Sequence, residues 1–391
     1  MSRVYDLGIV GAGIHGAGVA QAASAAGYDV LLLEKQGAAA GTSSRSSKLI
    51  HGGLRYLEQF QLGLVRECLQ ERELLLKLAP ELVKIRPFYI PVYRDTRRRP
   101  WQLYAGLSLY ALLVGPGHHA RFRSMQAGDS PALAGLRTDG LRQVFQYWDA
   151  QTDDAALTRA VLHSAVTLGT EVHTPAEFLG AELDADGATL RYREAGREQQ
   201  CRAKVLVNAA GPWVTEVAAR VSPFTSHVQS DLVQGAHILI DLPARDGILY
   251  MEVPADGRAV FLMPWKGMSL VGTTETHFAG RDPSATRPSP QEREYLRRVV
   301  EHYLPGMAFR ELDAFAGLRV LPRDAERPFA RDRELILETD RVHKPRLISL
   351  YGGKLTSYRA DALKVLRKLR GSLPRREARG DTARLLLTPV D

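Results

Sequence analysis

The stretch Leu7-Gly8-Ile9-Val10-Gly11-Ala12-Gly13-Ile14-His15-Gly16 decides the fold. An apolar run enters a G-x-G-x-x-G turn and leaves it as a helix expected from His15 to Ala26, an arrangement that builds an anion site out of backbone alone. Gly11 lets the chain reverse, Gly13 leaves room for a pyrophosphate against the main chain, and Gly16 lets the helix lie close on the strand. Unpaired N–H groups and the positive end of the helix dipole then face the phosphates. The next apolar run, Asp29 to Leu33, ends on Glu34, eighteen residues past Gly16. A carboxylate there accepts from both hydroxyls of an adenosine ribose and repels a 2′-phosphate. The stretch reads as a dinucleotide site and leaves NAD and FAD both open.

The 391 residues are 45% hydrophobic and 25% charged, enough for two or three domains' worth of core in a water-soluble chain. Cys68 and Cys201 stand far apart and outside any Cys/His spacing, so neither a disulfide framework nor a metal site is expected. The adjacent His118 and His119 have no spaced partners and read as surface residues. There is no signal-peptide core and no apolar run of membrane-spanning length. The formal charge of +8 favours anionic partners. Nucleic acid is not among them, because the basic residues are scattered among acids and carry no recognition motif.

Past Glu34 the chain becomes dense in small and hydroxylated residues and then runs through Thr42-Ser43-Ser44-Arg45-Ser46-Ser47-Lys48-Leu49-Ile50-His51-Gly52-Gly53-Leu54-Arg55-Tyr56-Leu57. This segment resembles the FAD-dependent glycerol-3-phosphate dehydrogenases, and the resemblance extends to about residue 365. It implies contacts to FAD from Thr42, Ser43, Ser47, Lys48, Leu49, His51 and Gly52, beside those of Gly11, Gly13, Ile14, His15, Gly16 and Glu34. It also places Arg55 beside the substrate.

The run Ala203-Lys204-Val205-Leu206-Val207-Asn208-Ala209-Ala210-Gly211-Pro212-Trp213 is a second cofactor signal. An apolar strand ends in small residues, so that backbone can lie against a flat ligand, with Ala210, Gly211 and Trp213 as the contacts. Paired with the first turn, it resembles the glutathione-reductase and D-amino-acid-oxidase type of FAD domain, which favours FAD over NAD. Near the end, Leu347-Ile348-Ser349-Leu350-Tyr351-Gly352-Gly353-Lys354-Leu355-Thr356 repeats strand, glycine turn and helix. Gly353, Lys354, Leu355 and Thr356 are expected at the flavin, where N–H groups and an ammonium favour negative charge on the reduced ring.

The fold class expected is α/β, a Rossmann-type FAD domain with an inserted antiparallel sheet for the substrate. Residues 1–80, 145–225 and 335–375 form the first part. Residues 81–144 and 226–334 form the second, and 376–391 a basic tail. Helices are expected over Leu62 to Leu78, Leu103 to Val114, Ala155 to Leu168, Pro290 to His302 and Arg359 to Leu369, with a hairpin turning at Asp184-Ala185-Asp186-Gly187. Residues 115–140 read as a loop. The arginines at 94, 97, 98 and 99, followed by Trp101 and an apolar helix, suit either an anionic membrane surface or a core helix behind a solvated loop. The resembled family contains monotopic enzymes that pass electrons to quinone. This implies a quinone acceptor and a peripheral place on the inner face of the cytoplasmic membrane.

Oxidising a secondary alcohol takes a hydride acceptor, a proton acceptor and a grip on the substrate. Guanidinium groups bind a phosphate bidentately and stay charged. Arg319 and Arg331 match the family's phosphate-binding positions, with His237 and Thr274 also at the substrate. His51, Arg319 and Lys354 are the catalytic candidates. His51 can take the alcohol proton near neutral pH or simply hydrogen-bond the flavin, while His237 and Glu275 are alternative bases. The expected reaction converts sn-glycerol 3-phosphate to dihydroxyacetone phosphate. A flavoenzyme for a small hydroxy or amino acid is an alternative, since the same arginines bind carboxylate, and a non-catalytic anion- or membrane-binding protein of the same fold is another. Glu275 stands where the family has Asp and His15 where it often has Asn. The chain also stops short of the family's usual helical C-terminal domain, which leaves oligomeric state open.

Overall fold

A computed structural model describes residues 3–115, 119, 121–223, 228–323 and 335–390. Arg331 and His118 therefore lie outside the described residues.

The first sheet is built on four strands running in parallel: Val30–Leu33, Val4–Val10, Arg197–Asn208 and Leu347–Tyr351. A short fifth, Glu171–His173, adds in parallel beyond Val30–Leu33, and Ile336–Thr339 closes the opposite edge antiparallel. Val30–Leu33 is apolar throughout, Leu347–Tyr351 nearly so, and the second half of Arg197–Asn208 is buried, as strands covered on both faces require. The expected hairpin is present as Ala176–Asp184 and Gly187–Glu194, and its second strand pairs with the first half of Arg197–Asn208. Register puts Val10 beside both Leu33 and Asn208, and Asn208 beside Ser349. The glycine turns that follow Val10, Asn208 and Tyr351 therefore leave one edge of one sheet.

The helix Ile14–Ala25 is buried almost throughout, which its Gly and Ala composition permits. A Cβ on Gly16 would stand 1.9 Å from the carbonyl oxygen of Gly11, and one on Gly18 would stand 2.7 Å from the Tyr358 ring. Only glycine allows that helix to sit under both the turn and the last helix, Tyr358–Leu369. The helix Asp154–Thr167 packs on the same side, its first turn capped by Asp153, which accepts from the Ala156 N–H at 3.0 Å.

The second sheet runs Ser230–Ile240, Met268–Gly272, Ala259–Trp265, Ile248–Glu252, Val83–Tyr93 and Leu141–Thr152, with Glu311–Pro322 on the free side of the first strand. It is antiparallel except at one junction, where Ile248–Glu252 lies parallel to Val83–Tyr93. This junction joins a strand from early in the chain to one from the later insertion. Leu141–Thr152 belongs wholly to this sheet and pairs along the length of Val83–Tyr93, so the expected boundary at 144/145 falls inside a strand. Tyr147 and Ala150 looked like a return to the cofactor side because their run leads directly into the helix at Asp154. Leu49–Ile50 pairs with Gln151 and Ala150, so the serine-rich segment passes from the first sheet straight into the second. The stretch expected as loop carries a strand, Arg123–Met125, paired with the same long strand.

Residues 376–390 are packed rather than trailing. Arg376 pairs with the buried Asp6 at 2.8 Å, the Arg379 N–H donates to the Ala25 carbonyl at 2.7 Å, and Leu387 enters the main core, its N–H donating to Leu78. The basic tail expected here therefore has its cations paired, and its one buried leucine anchors it. Leu387→Ala is expected to lower unfolding free energy by about 2–4 kcal/mol in urea denaturation; a change near zero would restore the free tail.

Candidate functional site

One cleft runs between the sheets along the edge where the three glycine turns emerge. It is lined by Gly11, Gly13, Ile14, His15, Glu34, Thr42, Ser43, Ser47, Leu49, His51, Arg55, Ala210, Gly211, Trp213, His237, Thr274, Arg319, Gly353, Lys354, Leu355 and Thr356. Nearly every described residue expected at the site is thus brought to one place. Lys48, Gly16 and Gly52 lie behind its wall.

At the first turn Gly11 has φ +105°, and a Cβ there would stand 2.7 Å from the Ala209 carbonyl oxygen. The first and second turns touch at this point. The third turn meets the first helix, since a Cβ on Gly353 (φ +83°) would stand 2.3 Å from His15 Nε2. His15 is held in turn by Asp361 at 3.4 Å. The Ile14 N–H at the helix start donates to Ser43 Oγ at 2.9 Å. Glu34 is fixed by backbone: its carboxylate accepts from the Ala12 N–H and the Gln36 N–H, both at 2.8 Å. Beyond it Lys35 Nζ lies 4.5 Å from the centre of the Trp213 ring.

Lys48 was expected at the cofactor and is instead a buried structural cation. Its Nζ donates to Asp154 Oδ1 and to the Ser44 carbonyl, each at 2.6 Å, while Ser46 donates to the other Asp154 oxygen from N–H and hydroxyl. The pair folds the serine-rich loop onto the start of the helix Asp154–Thr167. Spacing alone could not separate a lysine facing the cleft from one facing this carboxylate, because Lys48 sits at φ +60°. Gly52 also acts from behind. Its N–H donates to the Tyr110 hydroxyl at 2.9 Å, and that hydroxyl donates to Asp149 at 2.7 Å. The other Asp149 oxygen takes Arg72 Nη1 at 2.6 Å. Arg72 and Asp149 are fully buried, and burial together with the Asp149 charge pushes the Tyr110 phenol upward. The His51 N–H meanwhile donates to Thr356 Oγ1 at 3.2 Å. The two peptides that flank His51 are thus each held by one hydrogen bond.

On the substrate side, Arg319 Nη2 donates to Thr273 Oγ1 at 3.2 Å. Gly235 makes room for this, since a Cβ there would come within 2.6 Å of both atoms. Lys354 Nζ lies 4.9 Å from the Tyr56 ring centre. Thr274 borders the cleft, yet its hydroxyl accepts from the Ala236 N–H at 2.8 Å and donates to the buried Glu292 at 2.7 Å. It organises the wall and has no proton left for a substrate. His237 is buried, stacks on Phe315 at 5.0 Å and meets Ser47 Oγ through Nε2 at 3.0 Å. Burial, then the charges of Arg319 and Lys48, lower its pKa to about 3. A histidine so hard to protonate is a poor general base, which leaves His51 the better placed of the two.

Tyr250, Phe261, Arg258 and Glu58 also line the cleft and were not anticipated. Phe261 lies on a strand legible from alternation, but no motif marks which of its faces meets a ligand. The strand carrying Tyr250 follows a Pro- and Gly-rich turn and is too short to stand out.

Close backbone approach, a helix start aimed into the cleft and a fixed carboxylate at its far end define a dinucleotide-binding oxidoreductase of the flavin type. A model of the family described as "FAD dependent oxidoreductase" matches residues 6–359. Glycerol-3-phosphate dehydrogenase of Pseudomonas aeruginosa is 37% identical over 382 residues, covering 94% of this chain and 72% of its own length. D-erythritol 1-phosphate dehydrogenase of Brucella abortus is 35% identical over 379 residues, covering 94% and 74%. The FAD-complexed glycerol-3-phosphate dehydrogenase of Bacillus halodurans superposes with a TM-score of 0.75 at 24% identity, over 98% of this chain and 68% of that one, a likeness of fold. The chain belongs to the FAD-dependent oxidoreductases, in their glycerol-3-phosphate dehydrogenase family.

Because His237 stays neutral when folded but has an ordinary pKa of about 6.5 when unfolded, acid protonates only the unfolded chain. The stability it contributes is complete above pH 6.5 and falls by up to about 1.4 kcal/mol per unit as pH drops toward 3. Urea unfolding at pH 7 and pH 5 should show His237→Gln with a shallower loss than the parent; parallel losses would mean that His237 protonates in place.

Proposed function

We propose that the protein oxidises the secondary hydroxyl of sn-glycerol 3-phosphate, giving dihydroxyacetone phosphate. The observation that carries this reading is that three glycine turns on one sheet edge share a cleft with His51, Arg55 and Arg319. The glycine turns, Ser43 and Glu34 would hold FAD, which supplies the hydride acceptor when bound. The fit rests on backbone that a Cβ would close, at Gly11 above all.

Arg319 grips the phosphate, fixed in direction by Thr273, and Arg331 is assigned to the same task from its sequence position alone. Arg55 adds a third guanidinium. Together they would hold the three-carbon substrate by its phosphate end, a matter of positioning that supplies much of the rate. His51 takes the hydroxyl proton as the hydride leaves carbon, its backbone held at both neighbouring amides. Lys354, on the third glycine turn, would supply a positive charge to stabilise the reduced cofactor.

The electrons are passed on to a quinone at a membrane surface. No helix among the described residues is long and apolar enough to cross a bilayer. The helix Pro100–Val114 instead turns Trp101, Tyr104 and Leu112 outward on one face, with the first 71% and the last 76% exposed. Phe60 nearby is also exposed, and Arg94, Arg97 and Arg99 precede the helix. Aromatic and apolar side chains beside a basic cluster suit peripheral docking on anionic lipid at the cytoplasmic face.

Anaerobic addition of sn-glycerol 3-phosphate to the yellow holoenzyme should bleach the flavin, and bleaching only by a carboxylate substrate would replace the reading. Arg319→Lys keeps the charge but loses the fork, and should raise KM by roughly 10- to 100-fold; unchanged saturation would remove Arg319 from the phosphate. Sedimentation with phosphatidylglycerol vesicles should fall sharply in a Trp101→Ala, Leu112→Ala double variant, and equal sedimentation of both proteins would exclude this face.

A further inference from the structure

The helix Pro290–Tyr303 begins with a capping box: Ser289 Oγ accepts from the Glu292 N–H at 3.2 Å, and Glu292 Oε2 accepts from the Ser289 N–H at 2.9 Å. A carboxylate with that task alone can stay in water. Glu292 is instead 4% exposed and accepts three further bonds, none of which caps a helix. Its Oε2 also takes Gln234 Nε2 at 2.6 Å, and its Oε1 takes the hydroxyls of Thr274 at 2.7 Å and Thr276 at 2.8 Å. Burial alone would raise its carboxyl, but the Ser289 N–H and these three donors hold it below the usual carboxylate range. At neutral pH it is ionised and only accepts.

These partners converge on one point. Gln234 and Ala236 flank Gly235 on the strand Ser230–Ile240. Gln234 is tied to Glu292 directly, and the Ala236 N–H donates at 2.8 Å to the same Thr274 hydroxyl that donates to Glu292. Gly235 between them is the floor on which Arg319 Nη2 and Thr273 Oγ1 lie, since a Cβ there would come within 2.6 Å of each. Thr273 spends its proton on the Thr274 carbonyl at 3.2 Å, so toward Arg319 it can only accept. Gly235, Thr273, Thr274 and Arg319 border the cleft, and Glu292 and Gln234 stand behind them. Glu292 therefore holds both sides of that floor, and the residue next to the one that aims Arg319, without reaching the cleft itself.

Resting on the phosphate-gripping role of Arg319 above, we propose that Glu292 is a positioning residue for the substrate's phosphate, setting the direction of the Arg319 guanidinium through Gln234 and Thr274. A bidentate grip needs two N–H groups aimed at two oxygens at once, so a small shift of the floor weakens it. The phosphate is held alike before and during hydride transfer, so the loss falls on KM and leaves kcat in place.

The test is steady-state kinetics of the FAD-loaded enzyme on sn-glycerol 3-phosphate, with a soluble dye as electron acceptor. Glu292→Ala should raise KM roughly tenfold or more, the scale of a misplaced binding group, with the parent's kcat and FAD content. Glu292→Gln keeps the shape and one acceptor oxygen, and should raise KM by a smaller factor with kcat again unchanged, so that a folding failure of the alanine variant does not decide the matter. In the Arg319→Lys background, which has lost the fork, the same substitutions should move KM by less than about twofold. Tyr303→Phe is the control. It removes a hydroxyl bond to the Glu252 carbonyl from the far end of the same helix and should leave KM alone. Four results would overturn the role of Glu292 and leave the main reading standing: a parent-like KM in either Glu292 variant, an undiminished KM rise in the Arg319→Lys background, a loss confined to kcat or FAD content, or an equal KM rise in Tyr303→Phe. A parent enzyme that does not oxidise sn-glycerol 3-phosphate would remove the main reading, and this one with it.

Discussion

Close contact of backbone with backbone at the carboxyl ends of parallel strands is the constraint on which this molecule depends. Gly11 against Ala209 and Gly16 against Gly11 are approaches of backbone to backbone that no Cβ would survive, and Gly353 packs its backbone in the same way against the His15 ring. They draw three chain segments, separated by well over a hundred residues, onto one edge of one sheet. A flat, doubly charged ligand is best received by such an edge because N–H groups and a helix start can reach it without intervening side chains. The long apolar strands behind the edge hold it rigid, and the buried helix Ile14–Ala25 can lie so near only because its own side chains are small.

The second constraint is that the two sheets be joined where the reaction occurs. The segment from Thr42 to Gly53 does this. Thr42 donates to the Leu318 carbonyl at 2.8 Å, Gly317 leaves room for Arg45, and Leu49–Ile50 completes the second sheet. The strand bearing Arg319 and the turn bearing Ser43 are therefore placed by the same loop. A buried ion pair such as Lys48–Asp154 adds little net stability over an apolar replacement, but breaking one partner strands a charge. Its use here is to admit only one path for the loop.

This division explains what the sequence reveals and what it conceals. Turns that bring backbone to a ligand must be glycine, so they leave local marks, and the first, second and last were legible at Gly11, Gly211 and Gly353. Helices of regular period were legible for the same local reason. Polar side chains carry no mark of which way they face. Lys48 and Thr274 have the residue type and neighbourhood of ligand contacts, yet each is spent on a buried carboxylate, Asp154 or Glu292, that belongs to another element. Tyr250 failed in the opposite sense, since only a parallel pairing between distant strands places it at the cleft. The stretch from 376 reads in the sequence only as a basic tail, because charge is visible there and its pairing with Asp6 is not.

The helix Pro100–Val114 shows how tightly surface and site are bound together. Its outer face is apolar and exposed, while its inner face carries Tyr110, whose hydroxyl is the sole link from the helix to both Asp149 and the Gly52 N–H among the bonds described here. Losing that hydroxyl would take one donor from the buried Asp149 and leave the Gly52 N–H only its longer contact to Asp149 at 3.4 Å, a cost of about 1 kcal/mol for each bond. A shift of the helix by more than a hydrogen bond's tolerance is therefore opposed from inside, whatever touches it outside. The backbone beside His51 and the exposed face are thus both tied to one element, the helix that Tyr110 pins from inside.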